Sequence, residues 1–279
     1  MTRKDGSVMT DFLSTPTTST PAASEQPVSA PAASAAPGAR AARQPRRPAV
    51  ARDVVVTARE QLTEHMLRLH LGGDDLTPAV HDSPGSWVKL FAPLGDGSEH
   101  GRAYTVRGFD PLRDEITIDV FLHAGGTMPH WASECRIGSG ARIAGPRASG
   151  VAGRRAEALA LFADETALPA VAAVLERESH SRHGRPVRAA IELGDARDRQ
   201  ELEAPTHAEL VWLVRAPDEA PGTRLAAAAH LMDLLPGTAA WFAAEASAAK
   251  EARRALRARE VSALHAQGYW RAGVGDYRD

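Results

Sequence analysis

Between Val50 and about Pro146 the apolar positions fall in short, β-branched, alternating runs. These are ARDVVVTARE, HMLRLHLGG, SWVKLFAPL, RAYTVRGF and EITIDVFLH, separated by Gly, Pro and Asp. Alternation with a period of two marks strands with one buried face. ARIAGP makes a sixth run, and only TMPHWASEC, after the Gly125-Gly126 turn, breaks the rhythm. That segment predicts a short helix. Six short strands at this spacing predict a small antiparallel barrel with the helix closing one end.

After Gly153 the period changes. EALALFAD, VRAAIELGD, AELVWLVRA and TAAWFAAE are apolar runs, and ETALPAVAAVLERESH, RLAAAAHLMDLL and SAAKEARRALRARE between them have helical spacing. Apolar strands alternating with helices predict a mostly parallel sheet covered on both faces. Ligands of such sheets bind past the carboxyl ends of the strands. A barrel joined to an α/β lobe also predicts a cleft between the two.

Ahead of the barrel, Thr10 to about Pro48 is Pro, Ala, Ser and Thr with almost no large apolar residue. Such a stretch cannot bury enough surface to offset its ordering entropy and is expected to be disordered. The expected division is therefore a tail over 1–48, a barrel over 49–152 and an α/β lobe over 153–279. The start, MTRKDGSVMTDFLSTPTT, has no continuous apolar stretch of a signal peptide, and Met9 is a second possible start. Arg40, Arg43, Arg46 and Arg47 close the tail and read as a solvated linker.

Composition narrows the chemistry. A formal charge of −2 over 279 residues lacks the basic excess of a general nucleic-acid coat. No run approaches the roughly 20 apolar residues of a membrane helix. One cysteine, Cys135, excludes an internal disulfide framework and any multi-cysteine metal site. A cytoplasmic monomer is the expectation.

The most informative hexapeptide is Arg102-Ala103-Tyr104-Thr105-Val106-Arg107. On a strand, Arg102 and Tyr104 share one face and Thr105 takes the other. Arg102 offers a forked cation suited to a diphosphate, and Tyr104 a flat ring for a planar heterocycle. Thr105 offers a hydroxyl and an amide to a ring nitrogen. Taken alone, the run reads more readily as an ordinary strand with an exposed Arg and a half-buried Tyr. Some twenty residues on, DVFLHAGGTMPHWA adds a strand, two glycines and a helix start. A glycine turn feeding a helix N-terminus is a preformed anion site. Together the two suit one cofactor with a diphosphate in its middle.

In these segments, and in WASECRIGSGARIAGPR, FADETALPAVAAVLE, VWLVR, AWFAAEAS and GYWRAG, the chain resembles the siderophore-interacting proteins. These are FAD-containing ferric-siderophore reductases of the ferredoxin-reductase-like superfamily, and the resemblance runs from about Val54 to Gly273. It implies a six-stranded FAD-binding barrel followed by a parallel-sheet NAD(P)H-binding lobe. It places Arg102, Ala103, Tyr104 and Thr105 on the flavin, its ribityl chain and the phosphates, with Tyr104 and Thr105 at the reacting ring. Asp119, Phe121, His123, Gly126, Thr127, Met128 and Trp131 are implied to line the rest of FAD. Here the chain departs from the family's Gly-Pro-Ala step, carrying Gly-Thr-Met-Pro-His and one residue fewer.

FADETALP opens a helix after an apolar strand, with Thr166 as the expected cap and Pro169 in the first turn. No Gly-x-Gly-x-x-Gly fingerprint is present. The resemblance makes this the nicotinamide-side loop, with Asp164, Thr166 and Ala167 on the nucleotide. Acids beside phosphate are unexpected, and Asp164 and Glu165 equally read as first-turn helix acids. Arg215, ending VWLVR, is implied for the 2′-phosphate or is a solvated arginine. Lys250, Arg253 and Arg254 are either assistants or a solvated face. Glu245 stands near the implied nicotinamide or at a helix start, and Ala244 replaces a glycine usual in the family. His130 and Cys135, five apart, suit a surface imidazole and a core thiol better than a metal site. RLAAAAHLMDLL reads as core, and no Gly-x-Ser-x-Gly elbow occurs.

The resemblance thus implies transfer from NADPH or NADH through FAD to the Fe(III) of a ferric siderophore, releasing Fe(II). Basic residues near the flavin, with Arg107, Arg147 and Arg271 as candidates, would favour anionic ferric chelates. No protein metal site, nucleic acid or membrane insertion is expected. The rivals are another flavin reductase on this scaffold and a non-enzymatic siderophore-binding module. The Thr127–His130 loop and Ala244 are what favour the second.

Overall fold

The computed structural model describes residues 50–77, 83–149, 156–182, 184–275 and 277. The expected tail lies outside them. Seven strands form the first sheet: β1 (Ala51–Gln61), β2 (Met66–Gly72), β3 (Trp87–Pro93), β4 (Glu99–Thr105), β5 (Gly108–Asp110), β6 (Glu115–Phe121) and β7 (Gly140–Arg147). Their order is β4-β3-β7-β1-β2-β6-β5, antiparallel throughout.

The expected count was six. RAYTVRGF, which reads as one strand, changes partner midway. β4 pairs with β3, the Val106 amide still reaches Ser86 on that side at 2.8 Å, and the Arg107 amide donates to Thr117 of β6 at 2.8 Å. β5 continues along β6. One bent run therefore makes two short strands and links the two margins of the sheet. Helix α1 (Thr127–Glu134) packs on β4 and β6, at the end it was expected to close. Leu67, Leu69, Leu71, Val88, Leu90, Ile116, Ile118, Ile143 and Met128 fill the interior.

The second sheet is parallel, in the order β10-β9-β8-β11-β12, from β8 (Ala158–Asp164), β9 (Val187–Leu193), β10 (Glu209–Val214), β11 (Thr238–Glu245) and β12 (Ala263–Trp270). β8 and β11 lie centrally and are buried at every position, which is why they read as unbroken apolar runs. α2 (Leu168–Ser179) covers one face, while α3 (Thr223–Leu231) and α4 (Ala246–Arg257) cover the other. α4 turns Ala248, Ala249, Ala252, Ala255 and Leu256 inward, a stripe of small residues that lets it approach β11 and β12. β9 and β10 are joined by a 3-10 turn (Ala196–Asp198) rather than an α-helix.

Polar contacts join the lobes. Asp198 accepts from the Thr63 hydroxyl at 2.8 Å, the His65 amide at 3.0 Å and the His65 ring at 2.9 Å. Arg107 pairs with Glu176 of α2. That pair neutralises one of the three arginines expected to attract anionic chelates. Arg147 instead lies over the Trp87 ring, 5.2 Å from its centroid, and Arg271 is exposed.

Candidate functional site

On β4 the register sets Arg102 opposite Leu90 and Tyr104 opposite Val88, so the two share the face that carries the barrel core. Thr105 lies opposite Trp87 on the other face and is buried. Tyr104 is half-buried against the core alongside Trp131 of α1. Burial pushes its phenol above the ordinary range. On β6, Asp119 is gripped by the Arg68 fork at 2.7 and 2.9 Å. Both carboxylate oxygens are thereby engaged. Phe121 stacks on His123 with centroids 6.3 Å apart and meets His65 at 6.2 Å.

Past His123 the chain turns at Gly125, whose φ of +80° suits glycine, and enters α1. A Cβ on Gly126 would lie 2.7 Å from the His123 ring and 2.8 Å from the Pro129 ring, so any other residue here has to displace its neighbours. α1 starts with no side-chain cap and no acid in its first turn. The amides of Thr127 and Met128 precede the helix's own hydrogen bonding, and Pro129 has none. The Met128 side chain is buried in the barrel core, so this residue can offer the groove only its backbone. An open groove of about 640 Å³ runs here, lined by His65, His123, Gly125, Gly126, Thr127 and His130 among others. An uncapped, acid-free helix start over a glycine turn, beside a strand bearing Arg102 and Tyr104, fits a flavin dinucleotide.

The carboxyl end of the parallel sheet carries acids. Asp164 ends β8, fully buried, and accepts from Trp270 Nε1 at 2.7 Å, the Thr166 amide at 3.0 Å and the Thr166 hydroxyl at 2.6 Å. Burial pushes its pKa up. Thr166 is thus not the cap of α2: its hydroxyl serves Asp164, and the cap position is Ala167, without a side-chain bond. Nor are Asp164 and Glu165 first-turn acids, since the first turn of α2 contains none. Glu165 accepts from the Gly194 amide. Its pKa is pushed up to about 7 by burial, then by the charge of Asp164.

Arg215 does stand after β10, but between two carboxylates. Nη1 lies 2.9 Å from Glu192 and Nη2 3.7 Å from Glu165. Glu245 is the N-cap of α4, accepting from the Ser247 and Ala248 amides. Ala244 is fully buried in register with Gly268, and it is Gly268 whose Cβ would meet Ala246 at 2.9 Å. Arg253 donates to the Ala266 carbonyl and Lys250 is exposed on α4. His130 pairs with Glu134 on the surface at 3.4 Å while Cys135 is buried.

Comparison with known proteins bears on both halves. Residues 92–150 match the model of a siderophore-interacting FAD-binding domain, and residues 156–273 match that of the siderophore-interacting protein. The crystal structure of a siderophore utilization protein from T. fusca superposes with a TM-score of 0.74 at 33% identity, over 83% of this chain and 97% of that one. The chain belongs to the siderophore-interacting protein family. Among curated members, the ferric vibriobactin reductase ViuB of Vibrio cholerae is 28% identical over 245 residues, 78% of this chain and 88% of ViuB. The NADPH-dependent ferric-chelate reductase of Escherichia coli is 27% identical over 241 residues, 79% and 93% of the two chains.

In this siderophore-interacting protein three structural partners escaped sequence reasoning. Glu192 is fully buried and accepts from the amides of Gly222, Arg224 and Leu225 at the start of α3, at 2.6, 3.1 and 3.2 Å. A lone acid inside the apolar run VRAAIEL was the available signal. Arg68, which holds Asp119, is an arginine on the polar face of β2 and carries no such mark. Trp270 shows its role only once β12 is placed beside β11.

Proposed function

We infer that this chain is a flavin-dependent reductase that moves electrons from a reduced nicotinamide nucleotide, by way of FAD, to the Fe(III) of a ferric siderophore, releasing Fe(II). The observation that carries the reading is the acid-free start of α1 over Gly125-Gly126, packed against the strand bearing Arg102 and Tyr104. In this reading the barrel, residues 49–152, holds the flavin and residues 153–279 receive the nucleotide.

Bound FAD supplies the step from a two-electron hydride donor to single electrons. The chain supplies position. Arg102 and the amides of Thr127 and Met128 hold the diphosphate, with Gly126 granting close approach. Tyr104 presents its ring to the heterocycle, and the strand at Ala103 and Thr105 offers backbone groups to its edge. His123 walls the groove with Phe121 stacked behind it, and Trp131 anchors α1 to the barrel. The carboxylate of Asp119 keeps Arg68 in place rather than touching the cofactor.

On the nucleotide side α2 follows β8, beside which the strand order reverses, and its cap residue Ala167 makes no side-chain bond. The pyrophosphate is therefore placed at this entry to α2, where the Thr166 and Ala167 amides bond Asp164 and fix the course of the loop beside it. Iron is substrate and stays in its chelator until reduced. Arg147 on the face of Trp87 and the exposed Arg271 remain the candidate cations for attracting an anionic chelate. No helix among the described residues is long and apolar enough to cross a membrane. Both halves lie in one chain, so a monomer suffices for the reaction.

The test is an absorbance scan of purified protein, before and after anaerobic NADH or NADPH, followed by ferrous-chelator capture from several ferric siderophores. Bleaching of a flavin band and Fe(II) capture are expected. A colourless preparation that refuses FAD overturns the reading. Bleaching without Fe(II) capture from any siderophore assigns the chain a different acceptor.

A further inference from the structure

The strand order β10-β9-β8-β11-β12 reverses between β8 and β11, and ligands of doubly wound sheets lie beyond the strand ends at that point. The helix that follows β8 at that point is α2, which places a dinucleotide diphosphate at the entry to α2. The adenosine ribose then lies over the ends of β9 and β10. There an acid commonly reads a 2′-hydroxyl, and an arginine a 2′-phosphate.

Arg215 is the arginine at that place, and it is already spent. Its guanidinium lies 2.9 Å from Glu192, which is fully buried, and 3.7 Å from Glu165. Backbone roofs the cluster: a Cβ on Gly194 would lie 2.8 Å from Arg215 Nη2 and 3.1 Å from Glu165. Arg197, past β9, is held by Asp195 at 2.6 Å and by Glu64. Arg224, at the start of α3, is held by Glu219 at 2.6 Å. Arg199 lies over Trp212 on the flank of the sheet, 5.5 Å from its ring centroid.

We propose that this nucleotide site is built for NADH, with Glu165 and Glu192 excluding the 2′-phosphate of NADPH by holding Arg215. The proposal rests on the donor reading above. A 2′-phosphate would bring nearly two negative charges to an edge already rich in carboxylates. To meet it, Arg215 would have to leave a buried partner uncompensated, which is strongly unfavourable. A 2′-hydroxyl needs no cation and brings no charge to this edge. Glu165, nearer the loop and less deeply buried than Glu192, is the residue that sets the preference.

The test uses the FAD-loaded full chain at pH 8. Calorimetry compares 5′-ADP with 2′,5′-ADP, and anaerobic stopped flow compares flavin bleaching by NADH and NADPH. We expect ADP to bind at least about tenfold more tightly than 2′,5′-ADP, and NADH to be the faster donor by a similar factor. Glu165→Gln, which keeps an acceptor for Gly194 but removes the charge, shifts the binding ratio several-fold toward 2′,5′-ADP. Tighter binding of 2′,5′-ADP by the natural chain overturns the proposal while leaving the donor reading intact, as does an unchanged ratio in folded Glu165→Gln. Absence of binding and bleaching with either nucleotide overturns the donor reading and this proposal together. The natural-chain comparison decides the matter even if the variant does not fold.

Discussion

The indole N–H of Trp270 donates to the carboxylate of Asp164 at 2.7 Å and so ties the outer strand β12 to β8 across β11. Asp164 is 1% exposed, and its two other donors, the amide and hydroxyl of Thr166, both come from the loop entering α2. One buried acid therefore holds the last strand and the α2 entry loop at the place where the nucleotide is proposed to lie. Trp270→Phe keeps the ring and removes the donor. The expected loss is about 1–3 kcal/mol, because a buried carboxylate is left short of a partner. Urea denaturation measures it, and an unchanged midpoint would show that the bond contributes nothing.

Arg102→Ala removes the forked cation of β4 without touching the barrel's apolar core. Flavin content after purification should fall, with affinity for added FAD weaker by roughly 10-fold or more, the scale of one charge-assisted contact to phosphate. Far-UV circular dichroism should be unchanged. Full flavin occupancy in this variant would remove Arg102 from the cofactor site.

Gly126→Ala tests the same site through its shape. The added methyl would sit 2.7 Å from the His123 ring and 2.8 Å from Pro129, closer than side chains tolerate. Since His123 is exposed and can give way, the barrel should still fold while the turn into α1 shifts. The expected readout is lower flavin retention with a melting temperature within a few degrees of the natural chain's. Equal retention would show that the turn does not approach the cofactor.

Glu165 makes stability depend on pH. Its pKa in the folded chain is about 7, against 4.5 ordinarily, with burial as the main cause and the Asp164 charge next. The folded state thus binds this proton more tightly than the unfolded state. The associated stability is complete below about pH 4.5 and is lost as pH rises toward 7. At about 1.4 kcal/mol per pKa unit, the loss is on the order of 3 kcal/mol. Glu165→Gln should therefore gain on the natural chain as pH rises from 5 to about 8, followed by denaturation at several pH values. A difference that does not vary with pH would mean that Glu165 does not titrate in this range.

Asp198 accepts three hydrogen bonds from the β1–β2 turn, two of them from His65. Asp198→Ala strands the Thr63 hydroxyl and the His65 amide at the joint between the lobes. A loss of about 1–3 kcal/mol is expected, with faster amide exchange localised to residues 63–66. Unaltered exchange there would show that the joint is held by other contacts.

Much of this was legible in linear order. Period-two runs up to Pro146 and helix–strand alternation after Gly153 define the two architectures, because burial of one face or two leaves its mark on every residue of a strand. The Arg102–Thr105 run and the Gly125-Gly126 helix start were equally local. The bend that splits RAYTVRGF was not, since Val106 and Arg107 hand over from β3 to β6 only when both strands are in place. Nor was the cap of α2, where Thr166 turns to Asp164 instead of the helix.

Sequence by itself determined the order of elements, the residue types facing each core and the flavin-like run on β4. Those depend on periodicity and local backbone preference, which act between near neighbours. Tertiary structure alone decided how the charges combine. Glu192 meets Arg215 from 23 positions away, Asp198 meets His65 from 133 and Trp270 meets Asp164 from 106. Whether a carboxylate reads a ligand, caps a helix or holds an arginine depends on what the fold brings within about 3 Å of it in a place that excludes water. No spacing along the chain encodes that distance.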